Sequence, residues 1–375
     1  QMPQSWIFSS ATKFTSQYTD QTVAANSVIV VCGDKSKVVS NSDMWETSTN
    51  YQTYQTQTTG FDGEGQITSA ITYVTSENNP KVYWVTGHGE ASESDLSTNF
   101  SDAVNKNNVE ISDLALMTDD IPEDAEELVI MSPTTDFSED EANKVITYLE
   151  NGGKLLMFTS YTGTDMPNLD SILENYGVKR SSGIVVETDS QHYYPQMPYY
   201  LLPNIQSDDI TTEVKSNYIL MPVAQAIQKL DSYRDTITIK SLLTTTEDAY
   251  IENDPENSTW SKSADSETGA FDLGVSITET VDDKETQIIY FSSASMLSSQ
   301  IDQAISGANS KLAATALTSM CDVEQTVVIP SKSTSYTNLV FTQGAVNTWS
   351  IIAIAGIPLV LVVIGVMIWM KRRKQ

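Results

Sequence analysis

Gly87-His88-Gly89-Glu90 combines a histidine, a carboxylate two residues away and two glycines. A His beside a Glu can act as a general acid–base pair, and glycines let a backbone come close to a ligand. The run follows directly on residues 81–86 (KVYWVT), an apolar strand closed by Thr86, and α/β sheets place their ligand sites at the carboxyl ends of strands. Thr86, Gly87, His88, Gly89 and Glu90 are therefore the first candidate site. Alternate glycines also serve a tight turn, and no Ser or Cys nucleophile stands beside the histidine, so a structural or ligand-contact role outweighs a catalytic one. The other histidine lies in Gln191-His192-Tyr193-Tyr194-Pro195-Gln196-Met197-Pro198-Tyr199-Tyr200. Tyr193, Tyr194 and the two later tyrosines could stack on a sugar or dock a protein; the plainer and favoured reading is a loop whose rings cover the sheet.

Other chemistries find no support. Two His and two Cys are scattered without ligand spacing, which argues against zinc, and Asp119-Asp120 and Glu123-Asp124 lack the spacing and glycine of a calcium loop. Asn151-Gly152-Gly153-Lys154 lacks the upstream glycine and the following Ser or Thr of a phosphate-cradling loop, so ATP hydrolysis by this chain is not expected. There is no strand-turn-helix G-x-S-x-G. No metal and no cofactor is expected.

The elements that must position His88 alternate between strand and helix. After 81–86, a polar stretch through Phe100, Ala103 and Val104 reads as helix. A second strand at 127–131 (ELVIM) leads through Pro133 to Ser138-Glu139-Asp140-Glu141, a capping box. The helix it opens puts Ala142, Val145, Ile146 and Leu149 on one face and stops at Asn151-Gly152-Gly153, before the strand 154–159 (KLLMFT). Short runs apolar on both faces predict a parallel sheet covered by helices on each side, a three-layer α/β sandwich with a mostly parallel central sheet. Beyond Gly183, strands predicted at 184–186, 218–223, 236–243, 271–278 and 287–291 add antiparallel strands or a neighbouring lobe. Residues 248–268 read as an exposed loop. One helix carries Ile301, Ala304, Ile305, Ala308, Leu312, Ala316 and Leu317 on a single face, and a strand follows at 324–330.

The carboxyl end is of another kind. Ser350 to Met370 contains no charge, is apolar on every helical face, and ends in Lys371, Arg372, Arg373 and Lys374. About 20 apolar residues cross a bilayer core of about 30 Å. Trp349 and Trp369 mark the two interfaces, Pro358 can kink the helix, and the cations keep the tail inside. Without those four cations, 17 Lys and Arg face 49 Asp and Glu, a net charge near −32 that repels nucleic acid. An apolar fraction of 40% nevertheless provides for a sizeable core. Cys32 and Cys321 lie in or beside apolar runs and are expected as buried free thiols. In residues 1–60 only 27–32 and 37–39, joined by Gly33-Asp34, read as a hairpin, which suggests the remnant of a truncated lobe. The expected division is 1–60 for that remnant, 61–330 for the α/β domain, 331–348 for a Ser/Thr/Asn-rich stalk, 349–370 for the span and 371–375 for a cytoplasmic tail.

Several runs in order carry a resemblance: Phe61-Asp62-Gly63-Glu64 with Ile67-Thr68-Ser69-Ala70-Ile71, then residues 81–90, Ile121-Pro122-Glu123-Asp124-Ala125, Pro133, Gly152-Gly153-Lys154-Leu155-Leu156 and Val328-Ile329-Pro330-Ser331-Lys332-Ser333. With a single span and a basic end behind them, the chain resembles the bacterial auxiliary components of uncharacterised ABC transport systems, a family that includes the gliding-motility-associated GldG-like proteins. The resemblance implies a membrane-anchored, extracytoplasmic, non-catalytic subunit beside a separate ATPase and permease, binding or gating a substrate or a cell-envelope ligand. It also implies a glutamine-amidotransferase-like or flavodoxin-like domain. Cys32 and Cys321 are far from the candidate strand ends, so amidotransferase activity is not expected, and no catalytic residue carries over. Members usually have an N-terminal membrane segment and a complete first lobe, in line with a truncation here. Two rival readings stand beside it: an envelope hydrolase or amidase using His88 and Glu90, and a glycan- or peptide-binding module centred on 193–200.

Overall fold

The computed structural model of the chain describes residues 14–50, 55–76, 79–256, 259–321, 332–333 and 341–373. At its centre is an eleven-stranded sheet. Five strands run parallel, lying side by side as Glu110–Leu114, Lys81–Val85, Glu127–Met131, Lys154–Phe158 and Lys284–Phe291. In chain order this is 2-1-3-4-5, so the order reverses between Lys81–Val85 and Glu127–Met131. Such a reversal opens a crevice beyond the carboxyl ends of the two strands, and the Gly87-His88-Gly89-Glu90 turn sits there. The rest of the sheet is antiparallel: Asp272–Val281, Gln225–Lys229, Val178–Val186 and the edge strand Tyr250–Glu252 continue it, while Ile237–Thr244 pairs with Asp272–Val281 and with the short Asn204–Ile205.

Burial on both faces follows from the alternation of side chains along each strand. Val129, Met131, Leu156 and Phe158 pack on one side with Trp84, Phe100 and the helix Ala308–Met320. Leu128, Ile130, Leu155 and Met157 pack on the other with the helices Glu139–Glu150 and Pro167–Asn175. Each fully buried aliphatic side chain contributes about 1.5–3 kcal/mol, and after the charged first residues, Glu127 and Lys154, both strands are wholly apolar. The predicted capping box is formed: Ser138 accepts from the Glu141 N–H at 3.3 Å, and Glu141 accepts from the Ser138 N–H at 2.9 Å.

Several expectations are corrected. The single helix carrying Ile301 to Leu317 is two, Ser299–Ala304 and Ala308–Met320, because Ser306 (φ 60°) and Gly307 (φ 82°) take left-handed conformations that no helix continues. Of 218–223 only Met221–Pro222 pairs as strand, and within 248–268 Tyr250–Glu252 is a strand, with Tyr250 and Ile251 buried under the sheet edge. The hairpin Val28–Cys32/Lys35–Val39 forms around Gly33-Asp34. A second pair, Trp45–Asn50 with Gln55–Phe61, passes unnoticed in its polar, Thr-rich sequence. The strand expected at 324–330 lies outside the described residues. Gln343–Arg373 is one helix, long and apolar enough to cross a membrane. Its turn Ile352–Gly356 widens to a π-helix, which takes up the conflict between the Pro358 ring and the carbonyl four residues earlier.

Cys321 is buried as expected, but Cys32, the last residue of its strand, is exposed. Burial pushes the Cys321 thiol up, with Glu127 adding to the effect. Under native conditions a thiol reagent should therefore modify one cysteine, Cys32, rapidly, and Cys321 only on unfolding. Two equally fast thiols would contradict the packing.

Glu127 opens its strand fully buried; one carboxyl oxygen lies 3.3 Å from the Cys321 sulfur, and the other has no hydrogen-bond partner among the described residues. Burial raises its carboxyl well above the ordinary range. A raised folded value gives stability that is complete below the unfolded pKa, about 4.3, and is lost at about 1.4 kcal/mol per pH unit as pH climbs towards the folded value. Glu127→Gln is thus expected to stabilise the chain at pH 7 by about 1–2 kcal/mol and to have no such benefit at pH 4. Urea unfolding at the two pH values checks it; a Gln variant weaker at both would show that the carboxylate is needed.

Candidate functional site

The turn after Lys81–Val85 is held against the turn after Glu127–Met131. The His88 carbonyl accepts from the backbone N–H groups of Thr134 (2.9 Å) and Thr135 (3.1 Å), and from both threonine hydroxyls at 3.2 Å. Gly89 (φ 78°) makes this approach possible, since a Cβ there would lie 2.1 Å from Thr134 Oγ1. Gly87 faces open space and is required only for its φ of 123°. Thr86 bonds the neighbouring strand, its N–H donating to the Leu114 carbonyl at 2.9 Å.

The His88 ring enters the protein between two carboxylates. Nδ1 lies 3.3 Å from Glu90 Oε1 and Nε2 lies 3.3 Å from Glu141 Oε2. The ring packs on Phe137 with centroids 4.3 Å apart, and the His88 and Glu90 side chains are 5% and 2% exposed. Glu90 also accepts from the His88 N–H at 2.7 Å, and Glu141 from the Ser138 hydroxyl at 2.7 Å. Burial opposes ionisation of Glu141, but the Ser138 donors and the adjacent His88 ring outweigh it and hold its carboxyl below the usual range. A ring protonated on both nitrogens donates to both carboxylates; a neutral ring can serve only one.

The predicted pair of His88 and Glu90 is thus brought together, and the partners the sequence did not reveal are Thr134, Thr135, Phe137 and Glu141. The capping box at Ser138 and Glu141 was legible, but its second task, facing His88, depends on sheet order. The two glutamates approach opposite sides of the ring, and among the described residues no group of three or more His, Cys, Asp or Glu is arranged to hold a metal. Both ring nitrogens and the carbonyl of His88 thus face partners within the chain, whereas the backbone at Gly87 is open to solvent. A cleft of about 770 Å³ lies elsewhere, beside the amino-terminal ends of the parallel strands, lined by Glu123, Glu126, Lys144, Tyr148, Asn151 and Lys154. That is the end of the sheet away from the switch point, and both lysines there donate to backbone carbonyls.

Tyr193 and Tyr194 lie in a different, three-stranded sheet, formed by Tyr193–Tyr194, Met197–Leu201 and Met221–Pro222. Tyr194 and Tyr200 pack on the hydrophobic core, as in the plainer reading, whereas Tyr199 meets Trp260 in a tilted pair with centroids 4.4 Å apart. His192 reaches the Leu202 carbonyl at 3.2 Å and belongs to this lobe.

Residues 79–319 match the family model of the ABC-type uncharacterised transport system auxiliary proteins, more than half of the chain. The chain belongs to this family. The match spans all five parallel strands and the His88 turn of this auxiliary component. No curated protein matches it. Among solved structures, the N-terminal domain of mmIFT52 is similar at 15% identity and a TM-score of 0.47, covering 64% of this chain and 96% of that one. A ThuA-like protein from Parabacteroides merdae aligns at 12% identity and TM-score 0.36, covering 68% and 98%. An exo-β-1,4-mannosidase from an Opitutaceae bacterium aligns at 10% and 0.33, covering 68% of this chain and 37% of its own. Likeness at this level bears on neither ligand nor reaction.

Proposed function

We propose that this auxiliary component is a non-catalytic, extracytoplasmic subunit, anchored by Gln343–Arg373, that sits beside a separate ATPase and permease and binds or gates a substrate or envelope component. The observation that supports the non-catalytic role is the buried His88 ring: at the position where open α/β sheets hold ligands, this chain puts a histidine with each ring nitrogen 3.3 Å from a buried carboxylate. The strand order 2-1-3-4-5 supports a flavodoxin-like domain and serves here as a scaffold. Lys371, Arg372 and Arg373 at the end of the apolar helix favour a cytoplasmic tail, with the acidic bulk on the other side.

Lysine cross-linking in intact native membranes tests this. Lys371 should link to a permease or ATPase, and the exposed Lys81 and Lys284 only to extracytoplasmic proteins. Links from Lys81 or Lys284 to cytoplasmic proteins would reverse the topology, and the lack of any transport subunit among the linked proteins would count against the subunit role.

A further inference from the structure

The start of the apolar helix is fastened to the tyrosine-rich hairpin. Thr342 donates its hydroxyl to Gln191 Oε1 at 3.1 Å, the Gly344 N–H donates to the Ser190 carbonyl at 2.7 Å, and the Gln196 N–H donates to Gln343 Oε1 at 2.9 Å. Gly344 allows the closest of these contacts, because a Cβ there would meet Gln191 Nε2 at 1.6 Å. The hairpin tip, Pro195-Gln196, has Gln196 at φ 66°, the left-handed second corner of a tight turn. It therefore stands level with Gln343, and at 1.5 Å per residue the strongly apolar segment that follows Ser350 is about 10 Å further along the helix.

No Asp, Glu, Lys or Arg occurs between Asp189 and Asp208, in a chain with 49 acidic residues. Met197 at the turn is exposed, as are Phe341, Val346 and Trp349 beside it. Tyr199 of the hairpin and Trp260 of a neighbouring loop form a half-buried, tilted ring pair. Uncharged surface bearing Tyr and Trp near the mouth of a spanning helix has the composition of the bilayer interface, where amphipathic rings settle at headgroup level.

We infer that the hairpin around Pro195-Gln196, with Met197, Tyr199, Trp260, Phe341 and Trp349, rests in the lipid headgroup layer, so that the α/β domain is held on the bilayer in one orientation. The inference rests on the anchored reading of Gln343–Arg373. The occupant is the lipid itself: an anionic protein surface would be matched by cations on the hairpin, and none are there.

The test uses the full chain with Cys32→Ser in phosphatidylcholine vesicles, with one nitroxide at Met197→Cys, at Lys284→Cys or at Leu361→Cys. Lys284 begins the strand whose far end, through the Ser293 hydroxyl bonded to the Pro222 carbonyl, adjoins the tyrosine sheet, so it reports the end away from lipid. The label at 361 should be open to oxygen and closed to a water-soluble nickel complex, and that at 284 the reverse. At 197 the oxygen-to-nickel accessibility ratio should be severalfold above that at 284. A ratio at 197 equal to that at 284, with 361 shielded, overturns the headgroup contact alone. Water-like accessibility at 361 overturns the anchor and the inference with it. Shielding at 197 that requires native membranes and fails in pure lipid assigns the face to a protein and also overturns the inference.

Discussion

His88→Ala is expected to destabilise the chain by about 3–5 kcal/mol, the cost of emptying a buried ring site and leaving the carboxylates beside it without a partner. The ring stands between Glu90 and Glu141, each engaged through a ring nitrogen at 3.3 Å, and covers Phe137. Its removal leaves two carboxylates facing a dry hole. Neither has bulk water to turn to, since Glu90 and Glu141 are almost fully buried. His88→Gln, which keeps a donor and fills part of the volume, should recover some of the loss. Urea unfolding followed by circular dichroism reads both variants, and a His88→Ala chain as stable as the parent would show that the cluster is no clasp. If His88 were instead a general base, the alanine variant would keep its stability and lose a turnover.

The second large loss is expected at Asp302→Ala, again about 3–5 kcal/mol for an ion buried within hydrogen bonds. Asp302 has no exposed surface. Its carboxylate accepts from Ser97 Oγ (2.7 Å), Asn99 Nδ2 (2.9 Å), the Ser310 N–H (2.9 Å) and Ser310 Oγ (2.7 Å). It thereby ties the start of the helix Thr98–Lys106 to the first turn of Ala308–Met320, where a negative charge also suits the helix dipole. Asp302→Asn preserves the shape but turns an NH2 group towards donors, so its loss should be nearly as large. A thermal midpoint unchanged in both variants would contradict this account.

The parts of the fold that were legible in sequence are those whose information is local. KVYWV, ELVIM and KLLMF are short, apolar on both faces and bounded by Gly or Pro, and each became a buried parallel strand. Ser138 to Glu141 announced a helix because capping is a matter of four neighbouring residues. Glu110–Leu114 was not legible: EISDL is an edge strand, paired on one side, and its composition suits water. The break at Ser306-Gly307 was hidden because the apolar spacing continues across it, although Gly307 was the signal.

The candidate site was half legible for the same reason. His88 and Glu90 are neighbours in the chain, and the glycines beside them marked a turn at a strand end. Thr134 and Thr135 reach the His88 carbonyl, and Phe137 and Glu141 its ring, only because Glu127–Met131 lies next to Lys81–Val85, an order set by long-range pairing. Asp302 and Ser97 are 205 positions apart and carry no mark of their contact. The docking of Gly344 on Ser190 is of this long-range kind too.

The most direct measurement is the composition of the particle that the full chain forms in its own membrane. Isolated in mild detergent through a tag and weighed by native mass spectrometry, the chain should carry an ABC ATPase and a permease in fixed ratio. Recovery of the chain alone, or with proteins of no transport system, would contradict the role proposed for it.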